Sequence, residues 1–221
     1  NGPLLQAWFA RSGHPHAKDP YFLYGASNLG SLIALLAYPI AVEPTLTLVG
    51  QRMGWSVGYG VFVLLIGVLA LAVTRTRTAA IQRPTAAATP APSWRERLVW
   101  VALAAIPSSL MLGVTTYITT DVASAPFLWV LPLALYLTTF IIAFQEKPAI
   151  PPELTLTLQA AAIAACAALL PFRSTLFGLQ LFIHLIAFFL TALMCHQRLV
   201  ARRPDPAHLT EFYLCLSLGG V

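Results

Sequence analysis

The sequence predicts an all-α fold, a polytopic transmembrane helix bundle, and three observations carry that prediction. Hydrophobic residues make up 58% of the 221-residue chain, charged residues only 10%, and the mean hydropathy is +0.75. So little polar surface cannot clothe a water-soluble globule of this length. The apolar residues also gather into runs close to the ~20 residues that a helix needs to cross a bilayer. Finally, the basic residues collect in the joints between those runs. The expectation is one transmembrane domain over residues 1–221, with about six complete spans and the start of a seventh.

Each element has a local signature. Pro3-Leu4-Leu5-Gln6-Ala7-Trp8-Phe9, followed by Arg11, His14, His16 and Lys18, reads as an interfacial aromatic end and a basic loop. Asp19-Pro20 reads as a helix cap with proline at the first helical position. It opens a first span over about Tyr21–Tyr38, closed by Pro39 and Pro44. The spacings Ala26-x-x-x-Gly30-x-x-x-Ala34 and Ser27-x-x-x-Ser31 set small residues along one side, where a neighbouring backbone can come close. Gln51, Arg52 and Trp55 mark the next interface, and Val57–Val73 is the second span.

A stretch rich in alanine, threonine and proline follows, so residues 74–97 are expected to form a flexible connector. Ser93-Trp94-Arg95-Glu96 has the form of a capping box and starts the third span, Leu98–Ile118. The fourth, Phe127–Phe144, holds Pro132, where a kink is expected. Leu154–Leu170 is an alanine-rich fifth span suited to tight packing, and Leu176–Met194 is the sixth. Asp205-Pro206 repeats the Asp19-Pro20 device and launches the seventh. The chain starts without a methionine or signal pattern and stops inside an apolar run, so further segments are expected on both sides.

Loop charge gives an orientation. Alternating seven spans places Arg11, Lys18, Arg75, Arg77, Arg83, Arg95, Arg97, Lys147, Arg198, Arg202 and Arg203 on one side, eleven of the thirteen basic residues. Only Arg52 and Arg173 fall opposite. The basic side, connector 74–97 included, is expected to be cytoplasmic. The net charge of +5 is thereby a matter of topology, since the basic residues form no stripe for nucleic acid.

An ionisable side chain at mid-bilayer costs about 2.5–3.5 kcal/mol, so polar groups inside spans are where function is sought. Asn28 lies near the start of the first span. On the third, Ser108, Thr115 and Thr119 share one face, Ser109, Gly113, Thr116 and Thr120 the adjacent one, and Asp121 ends the run. Such hydroxyls bond neighbouring helices or their own carbonyls one turn back. On the sixth, Gln180, His184, Thr191 and Cys195 fall on one face, which is expected to meet protein, with His184 as a neutral histidine bonded to a neighbour. His196, His208 and Glu211 can approach one another across the last turn, where the sixth run is expected to have stopped at Cys195-His196.

No metal or cofactor is expected from these residues. His184 and Cys195 stand about 16 Å apart along a helix, too far to share an ion. Cys166, Cys195 and Cys215 show no paired spacing and read as small core residues. Gly54-x-x-x-Gly58-x-Gly60 is not a dinucleotide fingerprint, and neither a phosphate loop nor a nucleophile elbow is present.

Several segments taken together carry a resemblance. They are Pro3–Phe9, Asp19–Tyr24 with Ser27–Ser31, Thr115–Asp121, Trp129–Tyr136, and Arg203-Pro204 through Leu209-Thr210-Glu211-Phe212-Tyr213 with Ser217–Gly220. In order and over nearly the whole chain, they resemble the membrane part of bacterial spermidine-synthase-like integral membrane proteins, the fused major-facilitator/spermidine-synthase group. That resemblance implies a major-facilitator-like arrangement in the bacterial inner (cytoplasmic) membrane. It also implies further helices upstream and a soluble aminopropyltransferase-like domain of methyltransferase-like fold downstream. Donor and amine sites belong to that domain, so none of these residues inherits a catalytic role. Cys215 stands where the family pattern leads us to expect an aromatic residue.

Three readings follow from different classes: a membrane domain anchoring or serving a catalytic domain, a facilitator-type transporter of a small cationic solute, and a structural subunit of a larger membrane complex. The lipid bilayer and the rest of the same protein are the expected partners.

Overall fold

A computed structural model describes residues 2–10, 12, 14, 17, 19–77, 90–122, 128–145, 149–172 and 177–220. Among these the chain is helical, without a strand: α1 (Gly2–Phe9), α2 (Phe22–Ala37), α3 (Glu43–Thr45), α4 (Leu48–Arg77), α5 (Trp94–Tyr117), α6 (Val130–Ala143), α7 (Pro152–Leu169), α8 (Phe177–Ala201) and α9 (Leu209–Gly219). Five segments are long and apolar enough to cross a membrane: Phe22–Thr45, Leu48–Thr74, Trp94–Thr120, Pro152–Leu169 and Gly178–Ala201. The expected fourth span differs: α6 is apolar but has 14 residues, about 21 Å of helix against a hydrocarbon core of about 30 Å. The core of the expected connector, 78–89, lies outside the described residues, as do Phe127, Leu176 and the loop charges Arg11, Lys18, Arg83, Lys147 and Arg173.

Two helix starts follow their sequence signals. Ser93 accepts a hydrogen bond from the Glu96 amide at 3.2 Å, the N-terminal half of a capping box. The Asp205 carboxylate accepts from the Ala207 amide at 2.9 Å and opens the 3-10 turn Pro206–His208 ahead of α9. Asp19 does otherwise. Helix α2 begins at Phe22 without a side-chain cap, and the Asp19 carboxylate instead meets Arg203 Nη2 at 2.6 Å. An arginine brought in from the far end of the chain outcompetes the backbone amides for that carboxylate.

Prolines end fewer helices than expected. Pro39 does not close the first span: a π-helical turn over Tyr38–Val42 absorbs it, and helix resumes through Glu43–Thr45 with Pro44 inside. The wider π turn accommodates the proline ring and missing N–H without breaking the rod. Pro132 is the third residue of α6, where no bond to a preceding turn exists to be lost, so the kink argument does not apply there. Pro107 lies within the interior of α5, where it is buried.

Packing sorts the helices into two groups. Helices α5, α6, α8 and α9 form the centre, with α2 on α6 and α7 on α8. The core gathers Trp100, Phe140, Leu193, Leu199, Leu209, Phe212 and Tyr213. Close approach occurs at Gly25, where a Cβ would stand 3.4 Å from Phe144 Cβ, and at Gly219 on α9, which lies against Ala104 of α5. The expected small-residue face of α2 is left open, with Ala26, Gly30 and Ala34 all exposed. The alanines of α7 likewise leave much of its surface open, Ala162 being buried and Ala160, Ala161, Ala164, Ala167 and Ala168 exposed.

Helix α4 buries no residue along Leu48–Thr74, although it is the most apolar of the spans at a mean hydropathy of 2.4. Each fully exposed aliphatic side chain would forgo about 1.5–3 kcal/mol in water. A helix apolar all round and unpacked belongs in lipid, and this supports a membrane protein independently of composition.

Candidate functional site

The helices of the centre leave a cavity of about 330 Å³ walled by Tyr24 and Asn28 of α2, Ala104 of α5, Tyr136 and Phe140 of α6, Tyr213, Leu216 and Ser217 of α9, with Pro3 of α1 and Gly220. Its walls are aromatic because these helices meet through rings. Tyr24 and Phe140 stand edge to face with centroids 5.3 Å apart, as do Tyr136 and Phe140 at 5.2 Å, and Tyr24 lies 5.0 Å from Tyr213. Ridges of large rings cannot interdigitate as closely as aliphatic ones, and small Ala104 and Gly220 widen the gap between them.

A polar relay backs this cavity. Ser108, buried on α5, and the Tyr136 hydroxyl are 2.9 Å apart. Thr139 donates its hydroxyl to the Tyr136 carbonyl at 2.6 Å, and the same oxygen lies 2.9 Å from His196 Nδ1. A hydroxyl has one proton to give. With that proton on the carbonyl, His196 donates through Nδ1–H, leaving Nε2 as the bare lone pair. Nε2 is buried and has no hydrogen-bond partner among the described residues. The His196 ring is wholly buried, stacked on Phe140 at 3.6 Å and edge-on to Tyr136 at 5.3 Å.

His196 is a buried polar residue that the sequence reading places at a turn instead. The apolar run does not stop at Cys195-His196, because α8 continues to Ala201. Leu193, His196 and Leu199 fall at helical spacing and are all buried. The apolar pair Leu199-Val200 beyond the histidine was the available signal.

The sequence-predicted residues fall in different places. Asn28 lines the cavity and donates to the Tyr24 carbonyl of its own helix at 2.8 Å, not to a neighbouring helix. Ser108 stands behind Tyr136. Thr119 donates to the carbonyls of Thr115 and Thr116 in the own-helix manner expected for such hydroxyls, away from the cavity. Asp121 lies in the π-helical turn Ile118–Val122, and its side chain is outside the described residues. Gln180 is buried and donates to the Leu169 carbonyl at 2.9 Å, fixing α8 to the end of α7. His184 lies on the exposed side of α8, 2.6 Å from the Gln180 carbonyl. The Gln180/His184 face and the hydroxyl face of α5 therefore do not share this cavity.

Glu211 belongs to a third group, at the arginine-rich end. Its Oε1 lies 2.5 Å from Arg97 Nε, and Oε2 3.8 Å from His208 Nδ1. Nearby, Arg202 pairs with Glu96 at 3.2 Å and Trp100 Nε1 donates to the Arg202 carbonyl at 3.0 Å. Tyr21 donates its hydroxyl to the Pro204 carbonyl at 2.9 Å, and burial pushes its phenol pKa up. Gln6 of α1 is buried beside the Tyr213 hydroxyl. Among the described residues no three His, Cys, Asp or Glu side chains come together as a metal site. No family model, no curated protein and no solved structure matches this chain.

Proposed function

We propose that the chain is the integral membrane domain of a spermidine-synthase-like protein of the bacterial inner membrane, anchoring or serving a cytoplasmic aminopropyltransferase-like domain. One observation supports this reading most: segments carrying the resemblance, scattered along the sequence, pack as one unit. Asp19 pairs with Arg203, Tyr21 reaches the Pro204 carbonyl, the Tyr21 and Phe212 rings meet edge to face at 5.7 Å, and Gln6 is buried beside Tyr213. Scattered motifs that converge on one unit are what a docking platform requires.

In this reading the arginine-rich end faces the cytoplasm, the helices follow a major-facilitator-like plan, and the missing helices and soluble domain complete the protein. The reading frame beyond Val221 tests it. A G-x-G-x-x-G following a strand, with acidic residues after it, supports the reading; a stop codon within one further helix overturns it.

A second reading, a facilitator-type transporter of a small cationic solute, draws support from the cavity and its relay. Uptake into proteoliposomes tests it, with Asn28→Ala and Tyr136→Leu expected to lower the rate; absence of uptake for every small organic cation tried removes it. Membership of a larger membrane complex draws on the open faces of α4 and α7, and purification as a lone monomer in mild detergent counts against it.

A further inference from the structure

Charge balance and wall chemistry narrow what the cavity can hold. Four of its ten lining residues are aromatic, Tyr24, Tyr136, Phe140 and Tyr213, and none is Lys, Arg, Asp or Glu. An anion would find no cation there. A polycation would bring charges that no lining carboxylate offsets, at a desolvation cost of several kcal/mol per unpaired ion. A single ammonium is different, because the ring quadrupole attracts a cation within ~6 Å of a centroid without any counter-charge. These rings line the cavity together and stand in mutual contact at centroid distances of 5.0–5.3 Å.

The neutral polar groups fit the same class. Asn28 offers an amide oxygen, Ser217 a hydroxyl and Tyr213 a phenol oxygen. Each of these oxygens can accept from a ligand that carries one polar hydrogen. The volume of about 330 Å³ lies at the small end of the ~300–1,000 Å³ found for small-molecule sites.

We propose that this cavity binds a small monovalent organic ammonium ion, held by the rings of Tyr24, Tyr136, Phe140 and Tyr213. This deepens the transport reading by naming a substrate class, but it concerns equilibrium binding and holds whether or not the ion is carried across.

The test is binding of radiolabelled choline to the full chain in nanodiscs, with 3,3-dimethyl-1-butanol, its uncharged isostere, and a linear triamine as competitors. The expected result is saturable choline binding, with the isostere and the triamine each at least tenfold weaker. Tyr24→Leu should weaken binding about tenfold, while Tyr24→Phe, which keeps the ring, should retain it. Equal binding of the uncharged isostere, preference for the triamine, or no saturable choline binding by the wild-type chain overturns the proposal. Those comparisons use the unmutated protein, so poor folding of the leucine variant does not blunt them. Binding without uptake sinks the transport reading alone, and uptake of the triamine without choline binding sinks this proposal alone.

Discussion

Replacing Gly219 with alanine should pry α9 from α5. The new Cβ would stand far inside van der Waals contact with the Val101 carbonyl oxygen, 2.8 Å from Ala104 Cβ and 3.0 Å from the Ala105 nitrogen. Carbon atoms rest at about 3.5–4.0 Å, so the two helices must part by about 1 Å. Two of the three atoms met are backbone, which no rotamer change can clear. Overpacking of a filled core costs about 1–3 kcal/mol, and this site belongs near the upper end. Alanine returns about 0.5–1 kcal/mol through helix propensity, leaving a net loss of about 2 kcal/mol.

Unfolding in mixed micelles, followed by tryptophan fluorescence, measures that loss, because Trp100 lies in the core that α5 and α9 share. Gly58→Ala is the control, since a Cβ there meets nothing within 4 Å, and it should be neutral or stabilising. A Gly219→Ala protein as stable as the wild type, or a Gly58→Ala protein equally weakened, would refute the packing argument.

Other substitutions probe the remaining contacts by the same unfolding measurement. Ser93→Ala removes the α5 cap and should cost about 1 kcal/mol. Asp19→Asn breaks a pair whose side chains are 50% and 37% exposed, so the loss should stay below about 1 kcal/mol and shrink with added salt. Thr139→Val leaves His196 Nδ1 buried without its partner and should cost about 1–3 kcal/mol. Thr139→Ser, which keeps the hydroxyl, should recover most of that.

Much of the helical plan was legible because its signals are local. The Ser93 and Asp205 caps need only the next few amides, and they form. Asp19-Pro20 looks the same in sequence yet is spent on Arg203, 184 residues away, which no local pattern announces. The end of α8 was misjudged because His196 and Gln197 read as a polar stop. The histidine is instead carried inside by Thr139 and Phe140, and Gln197 reaches across to the Ile150 carbonyl at 2.9 Å. Asn28 and Ser108 were found as polar groups within apolar runs. The ring walls of the cavity were not, because tyrosines in a membrane sequence read first as interface markers.

The central claim is a helical membrane domain whose arginine-rich end faces the cytoplasm, and cysteine accessibility in spheroplasts tests it most directly. Cys166, Cys195 and Cys215 are first replaced by alanine, and single cysteines are placed at the exposed positions Thr47, Ala91 and Ala201. A membrane-impermeant maleimide should label Thr47→Cys in intact spheroplasts, and Ala91→Cys and Ala201→Cys only after the membrane is opened. Labelling of Ala201→Cys in intact spheroplasts, or of all three sites from the same side, would contradict the account.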